Sequence, residues 1–165
     1  ITGNTLLQAL FVAHQLIELA SLQNSNINIA TFHNLAGRTL SGDMIMYNNY
    51  EKHKNATFNS MIIVRDLFKG AIKLRDKYEI QKDCFYYSFI SSARDRKLYY
   101  WINWSSQQLK IDLIINGKKS EYFSQNLFDK NSLDKAFEYN IINHIDSELI
   151  IRPYSVTFVE EIIKD

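Results

Sequence analysis

The chain has 165 residues, of which 46% are hydrophobic, 13% aromatic and 22% charged. Such a composition excludes a disordered tail, which lacks the apolar residues to bury. With 5 Gly and 1 Pro it also excludes collagen-like and low-complexity chains. Nineteen basic residues stand against 18 acidic ones, a net charge of +1, so no strong field steers nucleic acid or an anionic membrane to this surface.

Residue 1 is Ile, not Met, from which we expect a processed product or a piece of something longer. Gly3-Asn4-Thr5 can open a helix, with Asn4 or Thr5 as its cap. From Leu6 to Leu22 the apolar residues recur at three and four, in a stripe wide enough for a mostly covered helix. Gln8, His14, Gln15 and Glu18 interrupt that run. It therefore falls short of the ~20 clean residues a membrane-spanning helix requires. No basic leader with a cleavage site is visible.

Ile27 to Phe32 is short, β-branched and bounded by turn residues, which predicts a strand. Leu35 to Asn49, with Gly37 and Gly42 and no clean period, predicts a long loop. Phe58, Met61, Ile62, Val64, Leu67, Phe68, Ala71, Ile72 and Leu74 predict a second amphipathic helix. Helix, strand, loop and helix make a piece of an alternating α/β pattern, which needs partner strands for its sheet.

From Asp83 the period changes to two. Phe85 to Ile90 is one strand. In the next, Leu98, Tyr100, Ile102 and Trp104 alternate with Tyr99, Trp101 and Asn103. Leu109, Ile111, Leu113 and Ile115 alternate with Lys110 and Asp112 in a third, and Asn116-Gly117 is a hairpin signal. A polar stretch, Ser124 to Lys135, separates these from short strands at Ile141-Ile142 and Leu149-Ile150-Ile151 and a last one over Tyr154 to Ile163. Pro153 fits the beginning of that strand. Such a series predicts an antiparallel sandwich. The fold class expected is thus α/β followed by all-β, with the boundary near Lys77 to Asp83.

Residues that could carry chemistry are few. Gly-rich phosphate loops, nucleophile elbows and His-Glu metal spacings are absent from the sequence. Cys84, alone at the head of an apolar run, reads as a small buried residue. His14 reads as a satisfied core histidine, His53 as part of a solvated Lys-rich loop, and His144 lies between strands. His33 alone stands at the C-terminal end of a predicted strand entering a loop, where α/β folds build their sites. No carboxylate pair follows a predicted parallel strand, so no catalytic pair is assigned within this chain. Tyr99, Tyr100, Trp101 and Trp104 crowd one strand, where aromatics more often fill a core than stack on sugar. Arg94, Arg96 and Lys97, with Asp95 among them, read as a solvated turn.

The order of parts then carries a resemblance. Leu10-Phe11-Val12-Ala13 lies in a helix, followed by Ile29-Ala30-Thr31-Phe32-His33-Asn34-Leu35 and a loop reaching Met46-Tyr47-Asn48. Leu98-Tyr99-Tyr100-Trp101-Ile102-Asn103-Trp104-Ser105 comes next, and Leu149-Ile150-Ile151-Arg152-Pro153-Tyr154-Ser155-Val156-Thr157 last. Taken together these resemble the C-terminal end of (β/α)8-barrel glycoside hydrolases of the arabinofuranosidase and xylosidase kind, with Pro-Tyr-Ser-Val-Thr the most specific match.

The resemblance implies the last part of a (β/α)8 barrel over residues 1–80 and an antiparallel β-sandwich over residues 81–165. Ile27 to Phe32 would be the eighth barrel strand. His33, Asn34 and Tyr47 would line the sugar site. In such enzymes the acid/base Glu follows the fourth barrel strand and the nucleophile Glu the seventh, so the resemblance implies that both precede Ile1; a barrel alone takes roughly 250 residues. No cofactor or metal is implied. The partners implied are a carbohydrate substrate and, over the exposed apolar faces, either a missing N-terminal barrel segment or a second copy. The alternative expectation is a non-catalytic α+β module, an antiparallel sheet covered by two helices, that binds a carbohydrate or a protein. The single cysteine fits a cytoplasmic or a secreted protein alike.

Overall fold

The computed structural model describes residues 6–22, 36–37, 45–48, 51–54, 61–68, 72–114, 120–127, 137–142 and 146–163. Most of them lie in antiparallel strands, and the largest sheet carries two helical elements on one face.

Helix α1 runs over Leu6–Ser21 and buries Ala9, Leu10, Ala13 and Ile17, the three-and-four spacing that the sequence displays. It ends where the Ser21 hydroxyl bonds back to the Glu18 carbonyl at 2.7 Å and Leu22 N–H to the Leu19 carbonyl at 3.2 Å. The stripe is not wholly covered, because Phe11 stays exposed. No helix among the described residues is long and apolar enough to cross a membrane.

Three short strands follow: β1 (Ala36–Gly37), β2 (Ile45–Asn48) and β3 (Glu51–Lys54). β2 pairs parallel with β1 and antiparallel with β3. The expected loop over Leu35 to Asn49 is therefore corrected, since part of it is strand. Four residues place two side chains on each face, too few for a period to show. The expected strand at Ile27 to Phe32 lies outside the described residues.

Residues 61–64 are helical and tighten into a 3-10 turn over Arg65–Phe68. Ile63, Val64 and Leu67 point into the core. The expected helix, reaching Leu74, is too long: Ile72–Gln81 is strand β4. Ile72 and Leu74 continue the apolar stripe in sequence, yet they are held in register with Ser91 and Phe89 of the next strand. Tertiary pairing overrides the local helical phase here.

The main sheet adds β5 (Cys84–Ser91), β6 (Arg96–Asn103), β8 (Ser120–Leu127), β9 (Phe137–Ile142) and β11 (Ser155–Ile163), in the order β4-β5-β6-β11-β8-β9. All five pairings are antiparallel. The expected polar separator from Ser124 is in its first part the end of β8, a strand paired on both sides. β7 (Leu109–Ile114) and β10 (Asp146–Ile151) form a separate antiparallel ribbon.

Alternation along each strand builds two cores. Leu98, Tyr100 and Ile102 of β6, Tyr87 and Phe89 of β5, and Val156 and Phe158 of β11 meet α1 and the 61–68 segment. Trp101 and Val159, on the opposite face, meet Leu149 and Ile151 of the ribbon, with Tyr86, Tyr99, Leu109 and Ile111 at its margin. Each fully buried aliphatic or aromatic side chain contributes about 1.5–3 kcal/mol of transfer free energy. The crowded aromatics of β6 are thus core residues first.

Candidate functional site

The sequence-predicted sugar residues fall mostly outside the described part. His33 and Asn34 lie beyond it. Tyr47 is placed on β2, its backbone opposite Lys52 of β3. The structure neither brings these three together nor parts them.

The described residues hold a different polar cluster, where α1 crosses β4, β5 and β6. The Trp104 indole N–H donates to His14 Nδ1 at 2.9 Å. Indole nitrogen can only donate, so Nδ1 must be the unprotonated nitrogen of a neutral ring. The proton then sits on Nε2, which donates to the Tyr87 hydroxyl at 2.8 Å. Tyr87 in turn donates to Glu18 Oε1, and Lys77 Nζ donates to Glu18 Oε2 at 2.5 Å. The His14 ring also packs on Phe85, with 5.0 Å between centroids.

Burial lowers the imidazole pKa, and the Lys77 charge adds to that against the opposing pull of Glu18. For Glu18, burial works to raise the carboxyl, but the bonds from Lys77 and Tyr87 outweigh it and hold the group below its ordinary range. Tyr87 is raised by burial and by its bond to Glu18. Both ring nitrogens of His14 are occupied, which leaves none for substrate chemistry. This cluster is a clasp between helix and sheet; His14 has both ring nitrogens satisfied, as expected from the sequence, but it is partly buried at the margin of the core. All three partners went unread in the sequence: Glu18, one helical turn from His14, could have been found from helical spacing, whereas Tyr87 and Lys77 come from distant strands and carry no local signal.

Two further clusters pin the sheet. Arg96 bonds Glu160 at 2.5 Å and lies 3.9 Å from Asp66, while Lys97 lies 3.1 Å from Glu161. Tyr99 also donates to buried Glu161, at 2.5 Å. Arg94 does sit in an exposed turn, but Arg96 and Lys97 start β6, which corrects the solvated-turn expectation for those two. Cys84 is buried as expected, and burial, with Glu79 nearby, pushes its thiol up to about 11. Among the described residues no group of His, Cys, Asp and Glu is placed to hold a metal ion.

The end of β6 joins the turn before β11. Asn103, fully buried, donates from Nδ2 to the carbonyls of Gln107 at 2.7 Å and Arg152 at 3.0 Å. Its Oδ1 accepts from Ser105 N–H and hydroxyl at 2.9 and 2.7 Å. Tyr154, at φ 48°, sends its N–H to the Ser105 carbonyl at 3.2 Å. Two segments that carry the sequence resemblance, Leu98 to Ser105 and Leu149 to Thr157, are therefore bonded to each other.

The fold of this chain is similar to part of several solved glycoside hydrolase structures. No family model and no curated protein matches the chain, so the likeness rests on solved structures. A GH30 endoxylanase from Clostridium papyrosolvens C71 superposes with a TM-score of 0.62 at 11% identity, over 98% of this chain and 40% of that one. The family 30 subfamily 8 xylanase Xyn30A from Clostridium acetobutylicum gives 0.65 at 12%, over 98% and 40%. An α-L-arabinofuranosidase from Thermotoga maritima gives 0.65 at 14%, over 98% and 40%. The chain spans about two-fifths of the length of these structures.

Proposed function

We propose that the chain is the C-terminal part of a retaining glycoside hydrolase acting on arabinosyl- or xylosyl-type glycans. The supporting observation is the likeness over 98% of this chain to two-fifths of a xylanase and of an arabinofuranosidase. In this reading the chain before β4 closes a (β/α)8 barrel and the part from β4 onward forms a β-sandwich beside it, since β4 (Ile72–Gln81) pairs with β5 and moves the expected boundary at residue 80 back to Ile72. His33, Asn34 and Tyr47 line the sugar site. The carboxylate pair, ~5 Å apart for retention, comes from a preceding segment. Exposed Phe11, Leu22 and Phe68 fit surfaces that further chain, or a second copy, would cover.

The test is an assay of the full-length protein on aryl arabinofuranosides and xylosides, with the stereochemistry of the first product read by NMR. Turnover with retention is expected, and His33→Ala should weaken sugar binding by roughly 1–3 kcal/mol, the scale of a lost buried hydrogen bond. A full-length protein inactive on every glycoside sinks the reading. Glycan binding by such an inactive protein would point to the non-catalytic module instead.

A further inference from the structure

Four aromatic rings form a ladder across β4, β5 and β6 on the ribbon side of the sheet. Tyr78 and Tyr86 are 4.7 Å apart between centroids, Tyr86 and Trp101 5.3 Å, and Trp101 and Tyr99 6.2 Å. The ladder runs from core to surface: Trp101 is 3% exposed and Tyr78, on the edge strand, 55%. The inner rings fix the outer one, so little rotamer freedom remains for Tyr78 to lose on binding.

Polar groups stand beside it. Asp76 and Tyr78 share one face of β4, opposite Ser88 and Tyr86. Ser88 donates to Asp76 Oδ2 at 2.7 Å, and Arg75 Nε lies 3.7 Å from the same oxygen. Both charged side chains are more than half exposed. Their charges offset each other, Lys77 is paired with Glu18, and over residues 73–83 four basic residues stand against three acidic ones. The strip therefore offers hydrogen-bond donors and acceptors around an aromatic face with little net field.

β4 breaks its register between Leu74 and Asp76 and again between Glu79 and Gln81. Bulges of this kind interrupt the edge, so a partner strand cannot add to it in an unbroken ladder. That disfavours a β-strand ligand and favours one that meets the side chains. Near-neutral charge disfavours nucleic acid. A ring face flanked by a carboxylate and a guanidinium suits the CH face and hydroxyls of a neutral sugar.

We propose that Tyr78, with Arg75 and Asp76, is a surface platform for a neutral polysaccharide chain. The platform is open on an edge, so it meets the middle of a chain and not its end. The choice of arabinoxylan as the glycan rests on the hydrolase reading, and the platform geometry does not.

Affinity electrophoresis of the full-length protein in gels containing soluble arabinoxylan tests it. Native protein should be retarded. Tyr78→Ala should lose at least fivefold in apparent affinity with an unchanged melting curve, and Tyr78→Trp should retain it. Equal retardation of native protein and Tyr78→Ala overturns the proposal, as does no retardation at all. Hydrolysis of a small aryl glycoside by Tyr78→Ala should stay unchanged, and a matching loss there also overturns it. A protein retarded through Tyr78 yet inactive on every glycoside sinks the hydrolase reading and leaves the platform standing. Activity without Tyr78-dependent retardation does the reverse.

Discussion

The indole of Trp104 donates to Nδ1 of His14 across 2.9 Å and 90 positions of sequence, joining the end of β6 to the middle of α1. The bond needs a neutral imidazole, because a protonated Nδ1 would face the indole N–H with a second donor. In the unfolded chain this ring titrates near 6.5, and folding lowers that value. Above 6.5 both states are neutral and the clasp stabilises in full. As pH falls below 6.5 the unfolded state takes up a proton that the folded state refuses, so stability drops. Glu18, held below its ordinary value of 4.5, acts the same way in a lower window. Thermal melts should therefore show a lower midpoint at pH 5.5 than at pH 7.5. His14→Gln should be less stable at pH 7.5 and flatter between the two, and a native profile without slope would contradict this account.

Asn103 ties the end of β6 to the turn that leads into β11. Asn103→Ala strips the donor from two carbonyls and the acceptor from Ser105, at a side chain that is itself fully buried. An expected loss of about 2 kcal/mol or more follows from the cost of buried groups left unpaired. Asn103→Asp keeps the shape but turns an oxygen toward both carbonyls, so at pH 7 it should be at least as damaging. Urea midpoints at constant slope measure both. An Asp variant as stable as native would show that Nδ2 is not the anchor.

Legibility in the sequence followed the length of the pattern. α1 was readable because sixteen residues give four turns of the same stripe. β6 was readable because Leu98, Tyr100 and Ile102 go to one core while Tyr99 and Trp101 go to the other. Ile72 and Leu74 misled, since they extend a helical phase and yet pair with β5. β2 was too short to show a period, and β8, Ser-Glu-Tyr-Phe-Ser-Gln-Asn-Leu, is held by strands on both sides more than by its own alternation. For the site, His14 was correctly read as satisfied, though it is only partly buried, and the partners that fix its tautomer sit up to 90 positions away. Of the three residues expected to line a sugar site, only the backbone of Tyr47 lies in the described part.

Neighbouring positions on α1 should respond in opposite ways. Leu10 is fully buried against the sheet, so Leu10→Ala should cost about 2–5 kcal/mol. Phe11 is 55% exposed, and Phe11→Ser in this chain should change stability by no more than about 0.5 kcal/mol. If the proposed barrel segment precedes this chain, the Phe11→Ser cost in the full-length protein should rise toward the core scale, because that segment would bury the ring. Denaturant titrations of both proteins decide it. A Phe11→Ser change that stays neutral at full length removes the covered-face reading.

Cys84 offers a last check on how firmly β5 is held. Its thiol ordinarily titrates at 9.0, and burial, with the Glu79 charge behind it, pushes it to about 11. At pH 8 the thiolate fraction falls about a hundredfold, and only thiolate attacks an alkylating agent. The sulfur is also closed to reagent, since Cys84 is fully buried in register with Asn103 of β6. Iodoacetamide at pH 8 should therefore leave the folded protein unmodified on a timescale that labels a free thiol completely, and urea should restore full labelling. Labelling that is slow but measurable should track the opening of the β5–β6 pair, so Asn103→Ala, which loosens the end of that pair, should speed it. Rapid modification of the native protein would mean that β5 is not packed as described.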